Sequence, residues 1–515
     1  MAAFSGAAFY GSVRERNRPR VCDETAERIL ERIAARESSD LDLSDSDEEA
    51  PEDVAVLDDL EKDLEPDVDS SDEEPVHTAP AAPKRAALWK TTDSSPQAWL
   101  PDFNVTSDSG EVRALWRPFE YFQEYISDEM WETMSTAMNT AHVVETGKSL
   151  CTTPEELKVF FALSITMSCL GYPQIRMYWA KRTKVPLVAN HMTRERFFTL
   201  RSRLKVVNAL DVDDATKAQD RLWRIRSLVV EVQNGCLRLP PEELLSIDEQ
   251  MIPFTGRTHL KQFVPRKPNP EGLKNFVLAS PSGFILDFEI YQGKKSLLHP
   301  GSSGIGESAV LRLTQSLTKG TKLFFDRYFT SSGLLDKLAK KGTAATGTVM
   351  NNRVPKTVKL SSESQLKQRG RGASEMWVRN DDKQVVVRWY DNKPVTLMSS
   401  LHGKEPQDTC RRWCAKEKRH IDVPRPHIVQ AYNANMGGVD MADRMLSFYR
   451  MKTRVKKWTI RCIFHLFDIA LCNAWILYMQ DMSSLRKQKK DILKFLDFRM
   501  SVADVSQLSS DVWPR

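Results

Sequence analysis

Four aspartates stand where the sequence changes from apolar to polar. Asp248 follows the apolar run LLSI, Asp326 follows KLFF, and Asp440 and Asp443 are three residues apart at the start of a helical pattern. We predict that the first two end adjacent parallel strands and that the last two share one helix face. Converging carboxylates suit cations such as Mg²⁺ or Mn²⁺. Two ions about 3.5–4 Å apart would activate a water or a 3′-hydroxyl for attack on a phosphodiester.

A purely structural interpretation of each acid is open at this point. An Asp at a strand end is usually a solvated turn residue, and Asp440 at a helix start is favoured by the helix dipole. Spacing alone therefore does not select the catalytic interpretation.

The segments around these acids alternate between strand and helix patterns. LLSIDEQM, NFVLAS and FILDFEIY are typical of strands, and the turn Pro281-Ser282-Gly283 joins the last two. A Gly-rich loop, GSSGIGES, leads into an amphipathic helix and then the strand TKLFFDRYF. This β-β-β-α-β order, with acids on the first and fourth strands and a third on a later helix, is the ribonuclease-H-like plan.

Helical patterns precede and follow this unit. Thr153-Pro154-Glu155-Glu156 predicts a capping box, Thr193 opens a second helix, and Asp220 opens a third that ends at Gly235. Residues 351–425 carry short strands and a basic loop, KQRGRG, and helical patterns return after Gly437-Gly438. The predicted fold class is α/β, with a helical domain flanking the core.

The charge of the chain is divided unevenly. Its 515 residues carry 74 Lys+Arg against 69 Asp+Glu, a formal net charge of +5. Between Glu37 and Glu74 there are 19 acidic residues and one basic residue, Lys62, which leaves +23 on the rest. High charge with few aromatics predicts a disordered acidic arm over residues 1–95, a candidate binding segment for a host chromatin factor. The basic remainder is typical of proteins that bind nucleic acid.

Cysteine usage and hydropathy argue against secreted and membrane proteins. The eight cysteines lack the dense spacing of a disulfide-stapled domain, and at the N-terminus basic residues follow the apolar stretch, the reverse of a secretory signal. The most apolar segment, 458–479, is interrupted by Arg461, His465, Asp468 and Asn473. We therefore predict a buried helix there and no membrane partner.

The sequence around the acids resembles the piggyBac transposase family. The resemblance covers residues 115–480 approximately and rests on motifs that occur in the family's own order. These motifs are SIDEQMIPFTGR, KQFVPRKP, FEIYQGK, FFDRYFTSSGLLDKL, TGTVMNNR, VVVRWYDNKPVTLMSS and AYNANMGGVDMADRM, followed by KKW.

The resemblance implies a DNA transposase that depends on divalent metal. The family's catalytic, metal-binding acids fall on Asp248, Asp326 and Asp440, with Asp443 as an additional acid, and Trp458 matches a family tryptophan near the cleaved ends. Such enzymes nick at the element ends, form hairpins with the freed 3′-hydroxyl, open them and join the ends at TTAA targets. A helical dimerisation and DNA-binding domain, and hence a homodimer on double-stranded DNA, is also implied.

Together with the composition, the resemblance implies a division of the chain into six segments. They are a disordered acidic arm (1–95), a first helical dimerisation and DNA-binding segment (115–240), the first part of a ribonuclease-H-like catalytic core (241–350), a β-rich insertion (351–425), a core helix with the third acid (426–450), and a second helical segment with a basic tail (451–515).

Basic residues in and after the motifs are predicted to contact DNA. Neutralised phosphates release counterions, and an adjacent aromatic ring can stack on an unpaired base. The predicted contacts are Arg257, Lys261, Lys267, Lys274, Lys452, Arg454, Lys456, Lys457 and Trp458. The run Arg486–Lys490 is a nuclear-import candidate, so we expect a nuclear protein.

Two departures from the family pattern bear on activity. Arg327 follows the second acid where the family more often has Asn, and its cation either touches phosphate or competes with metal for Asp326. No Cys or His follows Cys472, so we expect no Cys/His-rich zinc domain of the kind that reads transposon ends in many members. The chain is therefore either an active transposase or a domesticated DNA- or chromatin-binding protein that keeps the fold.

One further cluster suggests zinc. Cys410 and Cys414 are followed by His420 and His427, but the Cys-x3-Cys spacing in a basic, loop-like segment favours free thiols over a metal site. We expect no structural zinc.

Overall fold

The structure is a computed structural model of the chain. It describes residues 88–91, 99–103, 113–238, 240–265, 267–293, 304–414, 417–451 and 455–504. The predicted acidic arm falls almost wholly outside these ranges, as do the first three residues of GSSGIGES and two predicted DNA contacts, Lys452 and Arg454. The expected loop is shorter than GSSGIGES, because a helix begins at Ile305.

Helices occupy the described chain between the strands of the sheet and after them. Between the first and second strands lie α1 (Pro118–Gln123), α2 (Asp128–Thr146), α3 (Pro154–Leu170), α4 (Pro186–Ala189), α5 (Arg194–Arg203), α6 (Asp214–Gln219) and α7 (Arg226–Leu237). The later helices are α8 (Ile305–Leu313), α9 (Ser332–Lys340), α10 (Glu363–Arg369), α11 (His427–Asn435), α12 (Gly438–Phe448), α13 (Trp458–Ser484) and α14 (Phe495–Val502).

The described strands are between three and ten residues long. They are β1 (Trp89–Thr91), β2 (Leu244–Pro253), β3 (Lys261–Phe263), β4 (Glu271–Ala279), β5 (Ile285–Ile290), β6 (Lys322–Phe325), β7 (Ala344–Thr348), β8 (Ser374–Arg379), β9 (Val385–Tyr390), β10 (Pro394–Ser399), β11 (Asp408–Cys414) and β12 (Arg419–Arg425).

Two predicted helix starts are confirmed by their caps. The hydroxyl of Thr153 accepts a hydrogen bond from the Glu156 N–H at 3.2 Å, and Thr193 accepts from the Arg196 N–H at 3.3 Å. The reciprocal half of the box at Thr153 is wrong, because the Glu156 carboxylate instead accepts from Thr152 Oγ1 at 2.8 Å and from Arg196 Nε at 2.6 Å. Glu156 therefore ties α3 to α5.

The third predicted helix start is wrong by six residues. A 3₁₀ turn at Trp223–Ile225 precedes α7, which begins at Arg226. The Asp220 carboxylate accepts from the Leu222 N–H at 3.0 Å and pairs with the Arg226 guanidinium at 2.7 Å. Asp220 thus closes a turn ahead of the helix.

β1 to β10 form one mixed sheet. Its order is β1-β8-β9-β10-β7-β6-β2-β4-β3, and β5 also pairs with β4. Within it, β5, β4 and β2 are antiparallel neighbours, whereas β2, β6 and β7 run parallel. The order β5-β4-β2-β6-β7 is consistent with the predicted ribonuclease-H-like core. β2 and β4 are largely buried because helices pack on the sheet at both faces.

The segment predicted as an insertion extends this same sheet. β8, β9 and β10 are antiparallel neighbours and β10 pairs with β7, while β11 and β12 form a separate hairpin. The expectation of a basic loop at KQRGRG is wrong at its first half, because a capping box between Ser362 and Gln365 starts α10 and carries it to Arg369. β1 covers the outer edge of β8 with its buried Trp89.

The long helix α13 joins the helices between β1 and β2 to those after the sheet. It packs against α1, α7 and α14, and Phe467 stacks on Phe161 of α3 with ring centroids 3.8 Å apart. By length and apolar composition it is the one helix among the described residues that qualifies as a membrane span, yet 89% of its most apolar window is buried inside the protein. This agrees with the predicted buried helix.

The polar residues of α13 fasten it to other elements. His465 Nε2 lies 2.8 Å from Gln250 Oε1 of β2, and Asp468 Oδ1 accepts from Arg499 Nη2 of α14 at 3.0 Å. Asn473 accepts from the Ile285 N–H at 3.0 Å and donates to its carbonyl at 2.7 Å, as a neighbouring strand would. His465, Asp468 and Asn473, three of the polar interruptions noted in the sequence, therefore each have a specific partner.

Candidate active site

The first two acids lie side by side on parallel strands. β2 pairs with β6 up to Ile247 and Phe325, and Asp248 and Asp326 are the next residues along each strand. Neighbouring strands are about 4.8 Å apart, so the two side chains begin close together. The prediction that both residues end strands is right for Asp326 and wrong for Asp248, because antiparallel pairing with β4 carries β2 on to Pro253.

The other two acids lie on α12, which packs on β2 and β4. Gly438 lets the start of this helix approach the sheet: a Cβ atom there would lie 2.4 Å from the Ser280 carbonyl oxygen and 2.6 Å from Ser246 Oγ. Only glycine permits that distance. Asp440 is exposed in the first turn, whereas Asp443 is partly buried one turn later. Asp440 is therefore more exposed to solvent than Asp443.

One lysine lies among the carboxylates. Lys267 Nζ is 3.8 Å from Asp248 Oδ2 and 3.9 Å from Glu249 Oε1, and it donates to the Glu249 carbonyl oxygen at 2.9 Å. Burial lowers the pKa of Lys267, but the carboxylates of Asp248, Glu249, Asp440 and Asp443 outweigh burial and raise it above its ordinary value. Lys267, predicted to contact DNA, thus partly balances the charge of the acids.

The sheet acids are held with their charged forms disfavoured. Burial raises the pKa of Asp248 well above its ordinary value, and the Glu249 and Asp326 carboxylates raise it further while Lys267 opposes them. Burial and Glu249 also raise the pKa of Asp326, although its Oδ1 accepts from the Tyr328 N–H at 2.8 Å. A bound cation would relieve such crowding.

The types of ligand atom in the site suit a divalent cation, but within the described part of the chain their positions do not form a binding site for one. Asp248, Asp326 and Asp440 offer carboxylate oxygens from three separate elements, and buried Glu249 Oε2 has no hydrogen-bond partner among the described residues. Within those residues, however, no group of three or more His, Cys, Asp or Glu side chains is close enough to hold a metal. The acids are neighbours without forming a coordination shell.

Sequence reasoning missed the amide that contacts Asp443. Gln250 Nε2 donates to Asp443 Oδ1 at 2.7 Å, and Gln250 Oε1 receives Asn275 Nδ2 at 3.2 Å. Burial raises the pKa of Asp443 to about 6; the Gln250 hydrogen bond opposes this shift and Asp440 adds to it. Gln250 lies two residues after Asp248 in the motif SIDEQM, but its buried partners come from distant positions.

Tyr432 was also not anticipated as part of the site. Burial raises its pKa, and the charges of Asp326, Asp248 and Asp440 raise it further. This residue of α11 therefore faces the same acids from another side, within the motif AYNANMGG.

Several predicted DNA contacts lie together at the start of α13. Arg257, Lys456 and Lys457 are exposed, and Trp458 is partly buried against the core as the first residue of the helix. The loop of Arg257 lies on this segment, since a Cβ on Gly256 would be 2.9 Å from the Lys456 carbonyl oxygen. These four residues form one exposed basic and aromatic edge, here called the α13 edge.

Two other predicted contacts are engaged within the protein. Lys261 pairs with Glu271 at 2.6 Å. Lys274 is 8% exposed, and its ammonium lies 4.9 Å from the Tyr328 ring centroid and 5.2 Å from that of Phe276. A phosphate contact by Lys274 would require its side chain to leave this position.

The Cys/His segment is a hairpin, which corrects the loop-like expectation. Cys410 and Cys414 lie on β11 and His420 on β12, with Cys410 opposite Val423 and buried. Neither cysteine is in a disulfide bond. Trp413, 53% exposed, lies edge-on to His420 with ring centroids 5.2 Å apart.

Sequence comparisons assign relatives to the chain. The family model described as "Transposase IS4" matches residues 117–475. Human PiggyBac transposable element-derived protein 3 is 33% identical over 423 residues, which cover 80% of this chain and 68% of the relative. Human PiggyBac transposable element-derived protein 2 is 31% identical over 337 residues, which cover 64% of this chain and 56% of the relative.

The fold matches a solved structure, a cryo-EM structure of the piggyBac transposase synaptic complex with hairpin DNA. The match has a TM-score of 0.63 and 21% sequence identity, and it covers 76% of this chain and 80% of that chain. At this identity the likeness concerns the fold.

Proposed function

The chain belongs to the piggyBac transposase family, and on that premise we propose that it is a metal-dependent DNA transposase or transposase-derived enzyme. The reaction is DNA cleavage, hairpin formation and strand transfer at TTAA sites. The site is the group Asp248, Asp326 and Asp440, with Asp443 as the additional acid.

The observation that carries the proposal is the meeting of these acids from three elements. Asp248 and Asp326 follow the last paired residues of two parallel strands, and α12 packs on β2 with Asp440 in its first turn. Burial and mutual repulsion raise the pKa values of Asp248 and Asp326. Perturbed acids gathered in this way are typical of functional sites.

A divalent cation, Mg²⁺ or Mn²⁺, suits this donor set. Asp248, Asp326 and Asp440 would hold it. Two such ions would supply activation of the attacking water or 3′-hydroxyl and stabilisation of the negative charge on the leaving oxygen. The chain's own residues prepare the site: β2 and β6 align two carboxylates, Gln250 fixes Asp443 through its 2.7 Å hydrogen bond, and Lys267 partly offsets their charge.

DNA is the proposed partner. The solved structural neighbour is a synaptic complex with hairpin DNA. The α13 edge, with Arg257, Lys456, Lys457 and Trp458, offers cations to phosphates and a ring to an unpaired base. Synapsis of two DNA ends suits a homodimer, and a DNA substrate suits a nuclear location.

The test is a cleavage and strand-joining assay on TTAA-flanked DNA with Mg²⁺ or Mn²⁺. We expect metal-dependent nicking and joining by the wild type and a loss of at least 100-fold in Asp326→Asn, because one metal ligand and its charge are removed. If the wild type and Asp326→Asn gave equal amounts of cleaved and joined DNA without metal, the proposed activity would be contradicted.

A second candidate is a domesticated DNA- or chromatin-binding protein that keeps the fold. Lys267 among the acids favours it, because its ammonium competes with a metal ion for Asp248. Both human relatives named above are transposable element-derived proteins. This candidate predicts salt-dependent DNA binding that Asp326→Asn leaves intact, with no cleavage by either protein; Lys456→Ala and Lys457→Ala would each lower the salt slope by about 1.

A further inference from the structure

A chain of buried hydrogen bonds links the helix of the third acid to α13. Gln250 and Asn275 are fully buried and His465 is 4% exposed. Gln250 Nε2 donates to Asp443 Oδ1 at 2.7 Å, while Gln250 Oε1 receives Asn275 Nδ2 at 3.2 Å and faces His465 Nε2 at 2.8 Å. Four residues from β2, β4, α12 and α13 are thus connected, three of them buried and Asp443 partly exposed.

These partners fix the orientation of the Gln250 amide. Burial lowers the pKa of His465 well below its ordinary value, so its ring is neutral. With Gln250 Oε1 as the acceptor, its proton is assigned to Nε2. Two donors, from Asn275 and His465, therefore converge on Gln250 Oε1. A flipped amide would turn its nitrogen toward both donors and its oxygen toward the Asp443 carboxylate. The donor of Gln250 is in this way directed at Asp443.

The contact matters because it restrains α12 one turn after Gly438. The close approach of Gly438 to Ser246 and Ser280 fixes the first residue of the helix, and the Gln250 bond fixes Asp443. Asp440 is exposed and lies between these two restraints. Its position is set by the helix that carries it.

We propose that Gln250, locked by Asn275 and His465, is a positioning residue that holds α12 so that Asp440 stands beside Asp248 and Asp326. The role in metal binding rests on the proposed function; the restraint of α12 does not. Gln250 acts through Asp443 and touches neither substrate nor metal. Residues that orient metal ligands in this way commonly change metal affinity by about 10–100-fold when they are replaced.

The chain offers a matched control on the same helix. Asn473 is also fully buried, and it holds the Ile285 backbone of β5 through two hydrogen bonds of 3.0 and 2.7 Å. It has no hydrogen bond with the four acids. Asn473→Leu therefore removes a comparable buried fastening of α13 without acting on α12.

The experiment compares the full-length wild type with Gln250→Leu, Gln250→Glu and Asn473→Leu by hydrogen exchange. Gln250→Leu removes the amide at similar size, and Gln250→Glu keeps an acceptor for Asn275 and His465 but loses the donor to Asp443. We expect amides of residues 438–446 to exchange about tenfold faster, or more, in both Gln250 variants. Asn473→Leu should leave this segment within about twofold of wild type and accelerate residues 285–290 instead.

The second readout is Mn²⁺ binding by titration calorimetry on the same proteins. We expect binding about tenfold weaker or more in the Gln250 variants and within about twofold of wild type in Asn473→Leu. Unchanged exchange over 438–446 in a folded Gln250 variant would overturn the proposal. If Gln250→Leu does not fold, the exchange rates of Gln250→Glu test the positioning role. A wild type that binds no Mn²⁺ would count against the proposed function, while the exchange data would still decide the positioning role.

Discussion

Asp468 in the helical region and Asp248 in the sheet are both carboxylates withdrawn from water, but their neighbours differ. Asp468, 1% exposed, accepts from Arg499 Nη2 at 3.0 Å and from the Met451 N–H at 3.1 Å. The Asp248 side chain is 16% exposed, and Lys267 lies 3.8 Å away. Around Asp248 the nearby Glu249 and Asp326 carry the same sign of charge.

This difference distinguishes a structural carboxylate from one suited to binding a cation. Burial raises the pKa of both Asp468 and Asp248, so burial alone does not distinguish them. At Asp468 the guanidinium of Arg499 opposes the shift, whereas at Asp248 two further carboxylates increase it. In the first arrangement the buried charge is paired with a cation, whereas the second is maintained against electrostatic repulsion, as functional sites often are.

The largest effect is expected when the structural pair is broken. Arg499→Leu leaves the Asp468 carboxylate buried without its guanidinium, and we expect a loss of about 3–5 kcal/mol in the free energy of unfolding. Urea denaturation at pH 7 measures it, with the double replacement Arg499→Leu and Asp468→Leu as control, which should recover part of the loss. If Arg499→Leu lowered the free energy of unfolding by less than about 1 kcal/mol, the proposed difference between Asp468 and Asp248 would be contradicted.

The acid site should lose stability as pH rises through the raised pKa of Asp443. The pKa of Asp443 is raised from 3.8 to about 6, so the folded protein holds its proton more tightly than the unfolded chain does. Stability from this group is therefore lost as pH rises from about 4 to about 6, by at most about 3 kcal/mol. Urea denaturation from pH 4.5 to 7 without metal should show a smaller decline in Asp443→Asn. Parallel curves would contradict the raised pKa.

Removing a charge from the site should stabilise the protein. Asp326→Asn keeps an oxygen for the Tyr328 N–H and ends repulsion with Glu249 and Asp248. We expect about 1 kcal/mol of added stability at pH 7 in the presence of EDTA. Destabilisation by a similar amount would mean that the carboxylate supports the fold, as Asp468 does.

The smallest effect is expected at Asp440. This acid is exposed in the first turn of α12, so Asp440→Asn should change stability by only about 0.5 kcal/mol, mainly through the helix dipole, because solvent screens its charge from Lys267 and Asp443. The same urea series measures it. A change above about 2 kcal/mol would place Asp440 with the structural carboxylates.

Local patterns were sufficient to predict the strands and acids of the core. The apolar runs before Asp248 and Asp326 and the helical spacing of Asp440 and Asp443 each depend on a few adjacent residues. Parallel pairing then aligns the first two acids without further information. The end of β2 was missed because its last residues are held by β4 and not by their own sequence.

The contacts that tune the site depend on residues far apart in the chain. Gln250 and His465 are 215 positions apart and Gln250 and Asp443 are 193 apart, so no local spacing reveals them. Lys267 was predicted from its charge to contact phosphate, and its position among carboxylates follows only from the sheet. The one indication of these contacts in the sequence was His465, a polar residue within an apolar helix.

Mn²⁺ binding by the full-length protein tests the central claim most directly. Titration calorimetry would compare the wild type, Asp326→Asn and the control Asp391→Asn, whose 18% exposed carboxylate already pairs with Arg371 and Arg412. We predict saturable binding by the wild type, binding at least about tenfold weaker in Asp326→Asn, and an affinity within about twofold of wild type in Asp391→Asn. Equal affinity in the wild type and Asp326→Asn, or no binding by the wild type, would contradict a cation site at these acids.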